Sequence, residues 1–186
     1  MEETLHPDRK ALDAGLDHVR SAPRDEGTVE LMSRRPAEGE REVVEEAEVS
    51  PDAGMVGDNW LTRGSRHTAD GSAEPDKQIN LMNARVAQLV AGSRDRWALA
   101  GDQFYVDLDL SAENVPPGTR LRIGSAELEV TPPPHRGCPK FVKRFGADAM
   151  KFVNSEVGRR LNLRGVNARV VEAGMVRTGD AVRKIS

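Results

Sequence analysis

The chain has 186 residues, 38% of them apolar, which is enough for one domain with a real core and a short terminal extension. Its 27 basic and 30 acidic residues are closely mixed and leave a net charge of −3, which argues against nucleic acid as a partner and allows at most a local basic patch. A single cysteine excludes an internal disulfide framework and fits a reducing cytoplasm. The acidic opening lacks the apolar segment of a secretory signal, and no run is long enough to make a membrane a partner.

From His6 to Val19, Leu12, Leu16 and Val19 fall at i, i+4 and i+7, which predicts an amphipathic helix on the outside of the domain. Residues 1–26 thus read as a helical extension ahead of a domain over 27–186. Thr28 to Ser33 predicts a first strand. Glu38 to Glu48 holds six glutamates around Val43 and Val44, a solvated face rather than a cation site. Gly54 to Gly71 is long, polar and irregular, a type of segment often tied to function. Arg63, Arg66 and His67 in it have the donors to hold an anion, against the plainer reading of solvated loop charges. Asp58 either caps the turn after Gly57 or faces a pocket.

Gln78 to Met82 predicts a strand leading into a helix from Asn83 to Ala91, where Asn83 is either the helix cap or a residue at a barrel mouth. A turn follows at Arg94 to Trp97. Phe104 to Leu110 alternates, with Phe104, Val106, Leu108 and Leu110 facing inward and Tyr105, Asp107 and Asp109 facing outward. Leu121 to Val130 predicts a hairpin around Gly124-Ser125, a glycine-first pair suited to a tight type II′ turn.

The stretch from Pro132 to Phe141 is the most chemically loaded. It contains Cys138, followed by Pro139, whose fixed φ suits the first position of a helix. Cys138 is then the helix N-cap, facing unpaired amide N–H groups, with His135, Arg136 and Lys140 adding donors and positive charge. That is the setting of a nucleophilic or metal-binding sulfur; the competing reading is a small buried hydrophobe. Helical patterning continues to Leu161, broken at Gly146, with Asp148 capping the second helix. Val166 to Glu172 and Met175 to Thr178 predict two closing strands, and Arg169 points either into or out of the sheet.

Short strands in hairpins predict a mainly β fold, a closed or nearly closed barrel with peripheral helices, and argue against a doubly wound sheet. Motifs of dinucleotide binding, nucleoside triphosphate binding, serine hydrolysis and zinc proteolysis are missing, and the four histidines lack metal-ligand spacing among themselves.

Three blocks in order carry a family resemblance: Gly54-Met-Val-Gly57-Asp58-Asn59-Trp60; Val115-Pro-Pro-Gly-Thr-Arg-Leu-Arg-Ile-Gly124 through Leu128-Glu-Val-Thr131 to Cys138; and Arg164-Gly-Val-Asn-Ala-Arg169 through Gly174 to Gly179-Asp180-Ala-Val182. Over residues 27 to 184 the chain resembles a MOSC domain, the module named for the C-terminal part of molybdenum-cofactor sulfurases. The resemblance implies a bent, closed β-barrel of the MOSC or pyruvate-kinase-barrel type with peripheral helices. It also implies sulfur carriage as a persulfide on Cys138, taken from a cysteine desulfurase or another sulfur donor and passed to a molybdenum-cofactor acceptor. His135, Arg136 and Lys140 would support the sulfur. Arg63, Arg66, His67, Asp58, Asn83 and Arg169 would hold the cofactor. Two alternatives accompany it: a non-catalytic binding module for molybdopterin or another anion, and a molybdenum-dependent reductase of N-hydroxylated substrates with Cys138 on the metal. Many members carry a histidine where this chain has Trp60, for which His67 is a spatial substitute. The pyridoxal-phosphate domain of the large sulfurases does not fit in this length, so no pyridoxal phosphate site is expected.

Overall fold

The computed structural model describes residues 5–186; residues 1–4 of the expected extension lie outside the described residues. Two short helices, α1 (Arg9–Ala14) and α2 (Leu16–Arg20), come first. Strands β1 (Glu26–Arg34), β2 (Glu42–Val44), β3 (Glu46–Ser50) and β4 (Gly54–Met55) precede α3 (Trp60–Arg63). Next are β5 (Ile79–Asn83), α4 (Ala84–Ala91), a 3-10 helix over Arg94–Ala100, β6 (Phe104–Asp107), β7 (Arg120–Ile123) and β8 (Ala126–Pro134). Three helices, α5 (Pro139–Phe145), α6 (Ala147–Asn154) and α7 (Glu156–Arg160), lead to β9 (Val166–Glu172), β10 (Gly174–Arg177) and β11 (Ala181–Lys184).

Seven strands close a barrel in the order β1-β6-β5-β9-β8-β7-β11, and β11 returns to pair with β1. Every pairing in the ring is antiparallel except β5 with β6. Closure leaves no strand edge in the ring to template aggregation. The interior is apolar: Val29, Leu81, Phe104, Val106, Leu128, Ala168 and Val182 meet there. Burying each large side chain contributes about 1.5–3 kcal/mol. A small sheet, β10-β3-β4, adds Ala47, Val49, Met55 and Val176 to that interior.

A second apolar cluster lies outside the barrel wall. Leu31, Met82 and Tyr105 on the outer faces of β1, β5 and β6 pack against Leu12 of α1, Val19 of α2, Val86 of α4, Phe141 of α5 and Phe152 of α6. This covering corrects the half-buried strand expected at Phe104 to Leu110. Tyr105 is fully buried, and its hydroxyl donates to the Trp97 carbonyl at 2.7 Å. The strand is also shorter, ending at Asp107.

Other sequence expectations need similar adjustment. The first helix is two pieces meeting at Gly15, where a Cβ would stand 2.6 Å from Leu89 of α4. Gly146, not Asp148, occupies the N-cap of α6; the Asp148 carboxylate instead accepts from the Arg9 amide at 3.1 Å and ties α1 to α6. The two closing strands do not pair with each other: β9 joins β5 and β8 in the barrel, while β10 pairs with β3. The β7–β8 hairpin is as expected, with Ile123 opposite Ala126 and Gly124 at φ 57°.

Candidate functional site

β8 ends at Pro134, and the chain leaves the barrel through His135, Arg136 and Gly137 to Cys138, the N-cap of α5. This connection is anchored from two sides. The Gly137 amide donates to Asn154 Oδ1 at 2.9 Å, and Asn154 Nδ2 donates to the Gly137 carbonyl at 3.1 Å. Deeper down, Asn80 Nδ2 donates to Asn167 Oδ1 at 2.6 Å, and Asn167 Nδ2 donates to the Pro133 carbonyl at 2.9 Å. Cys138 itself is exposed and its sulfur makes no capping bond, so the buried-hydrophobe reading does not describe it.

Cys138 stands on a cleft of about 610 Å3 whose lining carries seven cations: Arg35, Arg41, Arg63, Arg66, Lys140, Arg144 and Arg164. Three have carboxylate partners. Arg35 pairs with Asp58, Arg164 with Asp102, and Lys140 approaches Glu38 at 3.9 Å between two exposed side chains. Arg41, Arg63, Arg66 and Arg144 make no ion pair among the described residues. Arg41 Nε is buried without a hydrogen-bond partner. Burial, then repulsion from Arg144 and Arg35, lowers the Arg41 pKa. Arg63 has exposed area, yet desolvation against the cleft and then Arg35 lower it too. Seven cations crowded against three carboxylates leave an excess of positive charge that attracts an anion.

The fold places these cations deliberately. Asp58 has no exposed side-chain surface, and its carboxylate accepts from Arg35 Nε and Nη2, both at 3.1 Å, from the Arg35 amide at 2.8 Å and from the Trp60 amide at 3.0 Å. It therefore fixes Arg35 at the cleft and starts α3, which ends in Arg63. Gly101, at φ 88°, brings bare backbone to Arg41; a Cβ there would lie 3.3 Å from Arg41 Nη2. Lys140 and Arg144 are one turn apart on α5 and share a face.

At the floor of the cleft lies a trio in which Asp102 is fully buried, Arg164 nearly so and His135 partly, with 18% of its side chain exposed. Asp102 Oδ2 accepts from Arg164 Nη1 at 2.7 Å, while Asp102 Oδ1 lies 3.5 Å from His135 Nδ1, and neither of these last two atoms has another partner. Burial pushes the Asp102 carboxyl up, with Arg164 opposing. His135 is pulled well below its ordinary value by burial first, then by Arg164, Arg35 and Lys77. At 3.5 Å the contact is too long for a strong charge-assisted hydrogen bond that would offset the burial of His135.

This has a pH consequence. Below about pH 6.5 the unfolded chain protonates His135 and the folded chain does not, so the His135 contribution is full above that pH and lost as pH falls. Between about pH 7.5 and about pH 5.5, the wild type should lose more stability to urea than His135→Gln, by up to about 1.4 kcal/mol per pH unit. Parallel pH profiles would show that His135 titrates as a hydrated group.

Of the residues singled out in the sequence, Cys138, His135, Lys140, Arg63 and Arg66 line this cleft. The others lie elsewhere. Arg136 lines a separate small recess with Val153 and Arg159. His67 is exposed and outside the lining, so it does not stand in for a cleft histidine. Asn83 is buried as the cap of α4, its Oδ1 accepting from the Arg85 amide at 2.8 Å. Arg169 is held on the outside of the barrel by Glu129 at 2.7 Å and Asp76 at 3.6 Å. Asp58 acts through Arg35 rather than on the cleft surface. Trp60 and Trp97 are core residues. Arg35, Arg41, Asp102, Arg144 and Arg164 were not anticipated. Only Arg144 left a local signal, its i+4 spacing from Lys140.

Among the described residues no group of three or more His, Cys, Asp or Glu side chains is placed to hold a metal ion, and no helix is long and apolar enough to cross a membrane. The profile of the MOSC domain matches residues 68–183, more than half of the chain. The chain belongs to the MOSC domain family. That stretch contains Cys138, His135, Asp102, Arg144 and Arg164, whereas Arg35, Arg41, Asp58, Arg63 and Arg66 precede it. Among solved structures, the MOSC barrel is similar to the YuaD protein from Bacillus subtilis, with a TM-score of 0.60 and 16% identity over 87% of this chain and 97% of that one. It is also similar to YiiM from Escherichia coli (TM-score 0.55, 17% identity, 86% and 70% of the two chains) and to YiiM from Geobacillus stearothermophilus (0.52, 15%, 89% and 75%). At these identities the likeness is one of fold. No curated protein matches the sequence.

Proposed function

We propose that this MOSC domain carries sulfur as a persulfide on Cys138 and delivers it to a phosphate-bearing cofactor of the molybdopterin class held in the cleft. The observation that supports this reading best is the exposed thiol beside four arginines that have no carboxylate partner among the described residues. Such arginines suit a phosphate, which accepts charge-assisted, often bidentate, hydrogen bonds. Arg41, Arg63, Arg66 and Arg144 would hold that group, with Cys138 on the same lining. The cofactor, when bound, supplies the metal and the centre that accepts sulfur.

The chain's own chemistry is thiol exchange. The Cys138 thiolate attacks the terminal sulfur of a donor persulfide, of the kind a cysteine desulfurase carries. A new S–S bond forms at Cys138, the donor S–S bond breaks, and the donor leaves as a thiolate. In delivery, the Cys138 S–S bond breaks, Cys138 leaves as a thiolate, and the terminal sulfur passes as sulfane sulfur to an acceptor in its two-electron-reduced state, which would supply the electron pair of the new bond. No external oxidant enters the loading step. The low redox potential of a reducing cytoplasm keeps Cys138 available as a thiol.

Two measurements test this. Incubation with a cysteine desulfurase and cysteine should add one sulfur to the protein, seen by mass spectrometry and removed by a reducing agent. Calorimetry should show that inorganic phosphate binds and that Arg63→Ala weakens it about tenfold, the loss of one charge-assisted contact. Phosphate binding without sulfur loading would favour the non-catalytic anion-binding module. Loss of neither property in the variants would remove the cleft from the mechanism.

A further inference from the structure

The cationic lining continues beyond Arg144. Arg41, Lys140 and Arg144 also line a second recess of about 600 Å3, together with His6, Arg96 and Lys143. Among the described residues, Glu38 is the one carboxylate on its lining, and it is shared with the cleft. Arg96 donates to the Ala91 and Arg144 carbonyls, both at 2.8 Å, which steers the guanidinium without neutralising it. Neither Arg96 nor Lys143 makes an ion pair among the described residues.

A single phosphate in the cleft satisfies only part of this. It would leave the cations of the second recess uncompensated, and it would meet Arg41 and Arg144 from one side only. Both residues stand on the divide between the recesses, and Arg144 contributes to the repulsion that Arg41 experiences. We propose that the ligand carries a diphosphate, as a nucleoside diphosphate or a dinucleotide form of a cofactor does, with one phosphoryl group in each recess astride Arg41 and Arg144. This deepens the anion-cleft reading above and rests on it.

Cations elsewhere are compensated: Arg122, Arg177 and Arg183 line a third recess, and each has a carboxylate partner, Glu127, Glu46 and Glu26 respectively. Two adjoining recesses of this size suit a small molecule, since ligand pockets span roughly 300–1,000 Å3. Arginine-rich walls suit phosphoryl oxygens better than a lone carboxylate.

The test is calorimetric titration of the full chain with inorganic phosphate and with pyrophosphate, followed by a nucleoside mono- and diphosphate of one base. Pyrophosphate should bind about tenfold tighter than phosphate, the equivalent of one further charge-assisted contact. Lys143→Gln, an exposed and fold-neutral change, should reduce that preference several-fold, and the control Lys151→Gln should leave it unchanged. Equal affinity for the two anions, or a preference untouched by Lys143→Gln, would overturn the two-recess inference while leaving the cleft reading intact. Binding of neither anion, or phosphate binding insensitive to Arg63→Ala, would instead remove the cleft reading itself.

Discussion

Cys138→Ser is expected to abolish sulfur loading completely and to leave the fold unchanged. Cys138 is exposed and its sulfur makes no capping hydrogen bond, so no packing or polar contact is lost. Serine is also among the better N-cap residues, and its hydroxyl is free to reach the first amides of α5. Stability to urea should therefore stay within about 0.5 kcal/mol of the wild type. Chemically the change is total, because a serine hydroxyl is not ionised near neutral pH and cannot form a stable persulfide. Phosphate affinity should persist, since the arginines are untouched. A serine variant that still gains one sulfur would place the reactive atom elsewhere and remove Cys138 from the mechanism.

Much of the barrel was legible because its inward positions alternate over whole strands. Leu121, Ile123, Leu128 and Val130 announced the β7–β8 hairpin, and Gly124-Ser125 supplied the turn. Alternation fails where helices cover the outer wall. Met82 and Tyr105 are as buried as their inward neighbours, and no local pattern says that α4 and α5 will lie over them. Cys138, Arg63 and Arg66 were found because they sit in irregular polar segments that a packed core does not need. The remaining cations were hidden by context. Arg41 lies in a glutamate-rich stretch that reads as a solvated face, and Arg35 follows a strand with nothing to show that Asp58 will hold it. Asp102 is of a residue type seldom buried, so a sequence reading sends it to the surface. The same reasoning overreached at Arg169 and Arg136, since strand position and nearness in sequence to Cys138 do not fix which way a long side chain turns.

Asp102→Ala should be the most destabilising single change at the site, costing about 3–5 kcal/mol. Its carboxylate has no exposed surface, and the Arg164 side chain it pairs with is 9% exposed. Removing the acid strands a buried guanidinium whose remaining contacts are the Ala100 carbonyl at 2.8 Å and the face of Phe141, 5.2 Å from the ring centroid. A loss of that size is a large share of the roughly 5–15 kcal/mol that holds an ordinary domain together. Removing both charges should be gentler, because no unpaired buried charge is left, although the Ala100 carbonyl loses its donor and His135 Nδ1 its neighbour. Asp102→Leu combined with Arg164→Met should thus recover most of the stability lost in Asp102→Ala, as read from urea unfolding at neutral pH. That recovery should not extend to the cleft. Arg164 is one of its cations and Asp102 faces His135 Nδ1, so phosphate binding should remain weakened in the double variant. If Asp102→Ala instead stays within about 1 kcal/mol of the wild type, Arg164 must reach water through the cleft when its partner is gone. The trio would then be part of an open anion site rather than the buried floor on which Cys138 and the cleft arginines rest.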